Sequence, residues 1–178
     1  MPFSSNVFDD FMRQLIGALQ PTTACDIGPG TGKYGHMIRD AAKGQFVTTT
    51  TAIEIDPSYV ETYQLRDLYD TVIVDDCVSL ILQPRVRFDL VIIGDCIEHL
   101  LKSRGIDLLN FLIYRTGYIV VIYPEAYVQD DWEGHAAEAH ISTWSPKDFE
   151  PWPTIHRHAE GMHLFVVKGY QPTRVTLT

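Results

Sequence analysis

Apolar positions along the chain follow two periods in turn, that of a helix and that of a strand. The first stretch, from about Asn6 to Leu19, carries its large apolar side chains at helical spacing and stops before Pro21, so it predicts an amphipathic helix. Short apolar or β-branched runs follow and predict five strands, at Thr23–Ile27, Val47–Ile55, Thr71–Val74, Phe88–Ile93 and Gly117–Tyr123.

Helical stretches separate these runs, one reaching about Lys43 before Gly44 and another from Ser58 to Leu68. Such alternation predicts parallel strands joined by right-handed crossovers. Two later runs, 154–159 and 162–168, flank Glu160-Gly161 and predict an antiparallel hairpin. We therefore expect an α/β fold: a doubly wound, mostly parallel seven-stranded sheet with an antiparallel C-terminal hairpin strand and helices on both faces.

The length of 178 residues suits one globular domain that buries about two-thirds of its unfolded surface. We expect a single domain over 1–178, made of a leading helix (1–20), a ligand-binding core (23–123), a long loop (124–153) and a C-terminal hairpin (154–178). The long loop is polar and aromatic and far exceeds ordinary connection lengths. Loops of this kind are typical of lids and substrate walls.

Charge and composition limit the partners that the chain can take. Asp and Glu total 23 against 14 Lys and Arg, giving a net charge of -9 that repels phosphate backbones, so nucleic acid is a disfavoured partner. The three cysteines are scattered, which predicts reduced thiols. We expect neither a leader peptide nor a membrane span, and therefore a cytoplasmic protein without a membrane partner.

A glycine-rich turn lies where the first strand gives way to a helix, with the sequence Asp26-Ile27-Gly28-Pro29-Gly30-Thr31-Gly32. A phosphate-binding Walker loop would need glycine at Ile27 and Ser or Thr at Tyr34, so that interpretation fails. A dinucleotide fingerprint occurs at Gly30, Gly32 and Gly35, but it begins two residues too late in the turn. A third register, an acid followed by alternating glycines, starts at Asp26 and places a carboxylate at the strand tip.

Acidic residues also end the next two strands. Glu54, with Asp56 as second choice, can accept the hydroxyls of a ribose. The Asp76 side chain and the Cys77 amide can meet an adenine ring, while Asp26 suits the cationic groups of S-adenosylmethionine. Each acid could instead only cap a following helix, but acids at three successive strand ends favour a ligand.

The segments DIGPGTG, AIEID, VDDC and FDLVIIGDCIEHL resemble the class I S-adenosylmethionine-dependent methyltransferase family over about residues 23 to 123. The resemblance implies a Rossmann-like fold and S-adenosylmethionine as cofactor. By it, glycines 28, 30 and 32 and Asp26 border the methionine part, Glu54 the ribose, Asp76 and Cys77 the adenine, and Asp95 the transferred methyl. Cys96 lacks the preceding proline of base-carbon methylases, so we expect a buried structural thiol there.

Asp95, Glu98 and His99 stand at i, i+3 and i+4, which would place them on one face of a helix start, and the long loop can return His140 to them. This pattern is similar to the Glu-x-x-Glu-His helix with a distant His in metal-dependent O-methyltransferases, with Asp95 in place of the first Glu. The resemblance implies Mg²⁺ or another divalent ion. Alternatively, Glu98 and His99 only pack at the helix start, and His140 or His99 acts alone as a general base.

Together these features predict a methyltransferase, a transferase that methylates an oxygen of a small-molecule acceptor. The low Lys and Arg content and the aromatic loop favour a small, partly apolar acceptor. The alternatives are an RNA-end or protein methyltransferase, a non-catalytic adenosylmethionine-binding or protein-interaction domain, and a nicotinamide oxidoreductase.

Overall fold

The structure, a computed structural model, describes residues 4–177. Residues 1–3 of the predicted leading segment and residue 178 of the predicted closing segment lie outside the described residues. Seven strands form one sheet: β1 (Thr23–Ile27), β2 (Thr49–Glu54), β3 (Thr71–Val74), β4 (Phe88–Gly94), β5 (Thr116–Pro124), β6 (Thr154–Ala159) and β7 (Met162–Lys168).

The strand order is β3-β2-β1-β4-β5-β7-β6. Strands β1 to β5 pair in parallel, whereas β7 runs antiparallel to both β5 and β6. The predicted α/β fold with its antiparallel hairpin is therefore confirmed. Strands β2 and β3 lie on one side of β1, whereas β4 and β5 lie on its other side. Where the strand order reverses in this way, a crevice opens at the carboxyl ends of the strands.

The helices are α1 (Asp9–Leu19), α2 (Lys33–Ala42), α3 (Pro57–Thr62), α4 (Leu65–Leu68) and α5 (Lys102–Ile113). Alternate residues of β4 and β5 point to opposite faces, so each face has its own core. Helices α1 and α2 cover one face, where Met12 and Ile38 are buried. The other face is covered by α5, with Leu108, and by the long loop, with Phe149. Among residues 4–177, no helix is both long and apolar enough to cross a bilayer.

Two predicted helices differ from the structure. The helix expected over Ser58–Leu68 is broken into α3 and α4, because Gln64 adopts a left-handed φ of 51° that interrupts the ladder of hydrogen bonds. The helix expected to begin at Asp95 is a short 3-10 helix, Ile97–His99. Asp95 itself has φ 49° and still donates its amide to Ile122 of β5, at 2.9 Å.

The long loop after β5 is docked onto the sheet rather than projecting from it. It contains the 3-10 helices Ala136–Glu138 and Pro146–Phe149. Trp144 is 6% exposed and donates its indole N–H to the Ile97 carbonyl at 3.2 Å. A Cβ on Gly105 would lie 2.6 Å from the Trp144 ring, so this glycine makes room for the anchor. The tryptophan therefore holds the loop against the start of α5.

Candidate active site

A cavity of about 450 Å³ lies at the carboxyl ends of β1 to β4, at the switch point of the sheet. That volume is within the range of small-molecule sites. Most residues that the sequence singled out line this cavity, namely Gly28, Gly30, Glu54, Asp56, Asp76, Cys77, Asp95 and His99. Asp26, Gly32, Glu98 and His140 are not among its lining residues, and neither are the three tryptophans.

The glycine turn needs its glycines for two different reasons. Gly28 has φ 66°, and a Cβ there would lie 2.6 Å from the Cys96 sulfur. Gly30 has φ 50° and lines the cavity, so its bare backbone is open to a ligand. Gly32, with φ 80°, instead packs against Leu68, which a Cβ would approach to 2.5 Å. Only the first two glycines are therefore placed to touch a bound molecule.

Asp26 lies behind the turn rather than in the cavity. Its side chain is 1% exposed, and one oxygen accepts the Tyr69 O–H at 2.5 Å, while that hydroxyl accepts the Gly35 amide at 3.1 Å. Burial, together with the charge of Glu54, raises the pKa of Asp26 to about 7, although the Tyr69 hydrogen bond acts against this shift. The carboxyl group thus braces α2 and Tyr69.

Glu54 ends β2 and presents a buried carboxylate to the cavity. One oxygen accepts the Asp56 amide at 2.9 Å, and the Gly30 amide also donates to this carboxylate. Burial nevertheless raises the pKa of Glu54. Since each carboxylate oxygen has two lone pairs, Glu54 retains capacity to accept further hydrogen bonds from a ligand.

Asp56 is committed to contacts within the protein. One oxygen caps α3 by accepting the Ser58 amide at 2.8 Å, and the other lies 2.6 Å from Nδ1 of His135. Burial would raise the pKa of Asp56, but the hydrogen bonds from Ser58 and His135 outweigh it and lower that pKa. The His135 ring also contacts the Tyr59 ring, tilted by 39° with centroids 4.9 Å apart, so the long loop is joined to Asp56 and to α3.

Asp76 and Cys77 follow β3 at the far end of the cavity. Asp76 caps the next 3-10 helix by accepting the Val78 amide at 2.9 Å, and its second oxygen pairs with Arg104 at 3.1 Å. Asp76 therefore both caps the following helix, as the alternative interpretation proposed, and lines the cavity. Burial raises the pKa of the Cys77 thiol to about 12, so this thiol stays protonated and unreactive.

The segment that precedes α1 closes the cavity beside Asp95. The carboxylate of Asp95 accepts the Ser5 amide at 3.2 Å, and burial raises its pKa to about 6. Ser4 lines the cavity. Lys33, whose ammonium lies 2.6 Å from the Ser5 carbonyl and 2.5 Å from Asp9, ties this segment to α2. This closure could not be predicted from sequence, because its contacts join residues about 30 or 90 positions apart.

Glu98, His99 and His140 offer ligand atoms that all lie within 4.8 Å of one another. Neither carboxylate oxygen of Glu98 has a hydrogen-bond partner in another described residue, and burial raises the pKa of this group. Nδ1 of His99 lies 3.1 Å from the Ala139 carbonyl and Nδ1 of His140 lies 2.8 Å from the Tyr127 carbonyl. Since a carbonyl only accepts, both Nδ1 atoms donate their N–H, and in a neutral imidazole this leaves the lone pair on Nε2.

Asp95 does not join this cluster. With its left-handed backbone it stands outside the 3-10 helix, so the α-helical spacing that would align it with Glu98 and His99 does not apply. The structure therefore brings together three of the four residues suggested as metal ligands. His99 also lines the cavity, and the cluster adjoins it there. Burial raises the pKa of the neighbouring Cys96 thiol, but this residue is half-buried and lines the cavity, so it is not the fully buried cysteine that we expected.

Sequence reasoning missed several lining residues. Arg104 lies on α5 and reaches the cavity through its ion pair with Asp76. Tyr59 reaches it from α3 beside His135, and the apolar rim is formed by Leu100, Leu101 and Ile141. No motif marks these positions, since they are set by how α3, α5 and the long loop pack over the strand ends.

No family model matches the chain, and no curated protein matches its sequence. Solved structures do resemble its fold. An O-methyltransferase family protein from Burkholderia thailandensis aligns with a TM-score of 0.64 at 9% identity, over 91% of this chain and 56% of that one. The N-terminal domain of EvdMO1 with SAH bound aligns with a TM-score of 0.65 at 12% identity, over 94% and 83% of the two chains.

The methyltransferase domain of bacterial CtHen1-C aligns with a TM-score of 0.62 at 14% identity, over 90% of this chain and 97% of that one. The chain thus spans about half of the first of these proteins, 56%, but nearly the whole of this last domain, 97%. These alignments confirm the resemblance predicted from the strand-end motifs at the level of fold.

Proposed function

Since the chain has the class I S-adenosylmethionine-dependent methyltransferase fold, we propose that it binds S-adenosylmethionine and methylates an oxygen of a small-molecule acceptor. The observation that carries this proposal is the arrangement of the cavity wall. Four adjacent strands end at this cavity. Gly28 and Gly30 follow β1, Glu54 ends β2, Asp76 and the Cys77 amide follow β3, and Asp95 follows β4. An elongated ligand with an amino-acid end, a ribose and a base would find a suitable group at each step.

The chain's own residues bind and orient this ligand. Gly28 and Gly30 let the methionine part approach the backbone, and Glu54 accepts the ribose hydroxyls. Asp76 and the Cys77 amide contact the adenine. Holding two reactants in line can supply about 7–11 kcal/mol of a reaction barrier, so positioning is the main contribution expected here.

Two segments exclude water from the cavity. The first precedes α1 and rests on Asp95 through the Ser5 amide. The second is the loop around His135, fastened to Asp56 at 2.6 Å. The apolar rim at Leu100 and Ile141 suits a small, partly apolar acceptor, and the net charge of -9 disfavours a nucleic acid chain.

The cluster of Glu98, His99 and His140 fits a divalent metal ion. The buried carboxylate of Glu98 has no hydrogen-bond partner in another described residue, and Nε2 of His140 lies 4.0 Å from one of its oxygens. One ring nitrogen of each histidine and this carboxylate lie within 4.8 Å of one another. Two imidazoles and one carboxylate suit a transition metal such as Mn²⁺, Co²⁺ or Zn²⁺ better than Mg²⁺. When bound, the ion would supply Lewis-acid polarisation that lowers the pKa of an acceptor hydroxyl. Burial lowers the pKa of His99, so without an ion its neutral Nε2 can take that proton.

The cofactor proposal is tested by thermal unfolding of the chain with S-adenosylhomocysteine, NADH and ATP in parallel. A ligand at 100 times its dissociation constant stabilises the folded state by about 2.7 kcal/mol, which raises Tm of a domain of this size by about 5–10 °C. We expect this shift with S-adenosylhomocysteine alone. A shift with NADH alone would assign the cavity to a nicotinamide enzyme and contradict the proposal.

The metal proposal is tested by the stoichiometry of Mn²⁺ binding to the chelator-treated chain. His99→Ala and His140→Ala should each remove one equivalent of bound metal and make methyl transfer insensitive to chelators, while leaving the affinity for S-adenosylhomocysteine nearly unchanged. His36→Ala, an exposed histidine of α2, is the matched control. Unchanged stoichiometry in both variants would refute the metal role and leave His99 as a base.

A further inference from the structure

Three histidines and a glutamate converge outside the cavity, at the hairpin formed by β6 and β7. His158 and His163 are register partners, and His156 stands two residues before His158 on the same face of β6. Glu125 directly follows β5 and donates its amide to the Gly161 carbonyl at 2.7 Å, which holds it beside the hairpin turn. The sheet pairing thus collects the four side chains on one side of the hairpin.

We propose that Glu125, His158 and His163 bind a transition-metal ion of the Zn²⁺ class, at a site separate from the candidate active site. One Glu125 oxygen lies 2.8 Å from Nε2 of His158 and 3.3 Å from Nε2 of His163. Ligand atoms about 2.0–2.1 Å from a tetrahedral zinc lie about 3.3–3.4 Å apart, so small side-chain movements suffice. Glu125 and His158 have that freedom, with side chains 52% and 46% exposed.

The inner histidine is already oriented as a ligand. Nδ1 of His163 lies 2.9 Å from Nε2 of His156, and a proton on the former leaves Nε2 of His163 with a lone pair towards Glu125. His156 is itself held by stacking on Phe165, with ring centroids 4.2 Å apart.

The charges around the cluster agree with a cation. Arg157, between the two β6 histidines, points to the opposite face and lies over the Phe11 ring at 4.6 Å. Glu125 is the acid of the cluster, and three protein ligands would leave the fourth position of a tetrahedral zinc ion to water. A bound ion would also fix the start of the long loop, where the Tyr127 carbonyl accepts from His140.

The competing state is a metal-free network in which Glu125 accepts N–H groups from His158 and His163. Calorimetric titration of the chelator-treated chain with Zn²⁺ separates the two states. The chain should carry His99→Ala and His140→Ala, so that the other cluster does not contribute. We expect one equivalent of Zn²⁺ at micromolar affinity or better, and Co²⁺ in its place should give the visible absorption of a four-coordinate site.

His158→Ala and Glu125→Gln, both at exposed positions, should each weaken this Zn²⁺ binding more than tenfold, whereas His36→Ala should not change it. In the chain with the active-site histidines intact, His158→Ala should lower the Zn²⁺ stoichiometry by one, which guards against misfolding of the double variant. Absence of Zn²⁺ binding, or binding that neither His158→Ala nor Glu125→Gln alters, would overturn the proposal.

Discussion

Replacing Asp26 by asparagine tests how burial acts on the acid behind the glycine turn. The folded chain raises the pKa of this carboxyl from its ordinary 3.8 to about 7, with burial as the largest cause. A raised pKa means that the folded state holds the proton more tightly than the unfolded state does. Stability is therefore lost as pH rises from about 4 to about 7 and is constant above that range.

The magnitude follows from the shift of about three pKa units, each equivalent to about 1.36 kcal/mol, which gives about 4 kcal/mol in total. Urea unfolding of the native chain and of Asp26→Asn at pH 5, 6, 7 and 8 measures this loss. Asparagine is uncharged and similar in shape, so the variant does not bury a charge at this position when the pH rises. We expect the free energy of unfolding of the variant, relative to the native chain, to rise by about 2 kcal/mol from pH 5 to pH 7 and to level off by about pH 8.

Tyr69→Phe is the companion variant, because it removes the hydrogen bond that favours the ionised form of Asp26. In it the loss of stability should continue to a higher pH. Acids that do not interact with Asp26 contribute equally to the native chain and to Asp26→Asn, so the difference reports Asp26 together with its coupling to Glu54. A difference that stays constant within about 0.5 kcal/mol from pH 5 to pH 8 would refute the reasoning.

Two further substitutions test the walls of the cavity. His135→Ala removes the contact with Asp56 and should weaken binding of S-adenosylhomocysteine about threefold to tenfold by calorimetry; an unchanged affinity would show that the loop does not close the site. Gly28→Ala should lower the free energy of unfolding by about 1–3 kcal/mol and abolish ligand binding, because φ is 66° and the new Cβ would meet Cys96. Gly44→Ala, at φ 69° with open space around it, is the control, and equal losses in the two variants would contradict the steric argument.

Much of the sheet could be predicted because its signals are local. The runs at Thr23–Ile27 and Thr71–Val74 and both hairpin strands have the same bounds in the sequence prediction and in the structure. Val47–Ile55 was predicted too long, since Val47 is β-branched but 87% exposed and lies before β2. The break at Gln64 left no mark on the helical pattern, because tertiary packing sets its left-handed backbone.

The residues of the candidate site that lie at strand ends could be predicted from the sequence. Those that packing between helices and loops brings to the cavity could not. Glu54 and Asp76 line the cavity as their positions suggested. The metal pattern assumed an α-helix through Asp95, and a 3-10 helix removed Asp95 from the cluster. Contacts such as those of Arg104 with Asp76 join residues on different elements, which spacing along the chain does not reveal.

The most direct test of the central claim is a calorimetric titration of S-adenosylhomocysteine into the native chain, Glu54→Gln and the control Glu61→Gln. Glu61 is exposed on α3, so the control makes the same change of charge away from the cavity. We predict one micromolar site per chain, weakened by about 1–3 kcal/mol in Glu54→Gln and unchanged in Glu61→Gln. Absence of binding to the native chain, or equal affinities in the two variants, would contradict the assignment of this cavity to an adenosyl cofactor.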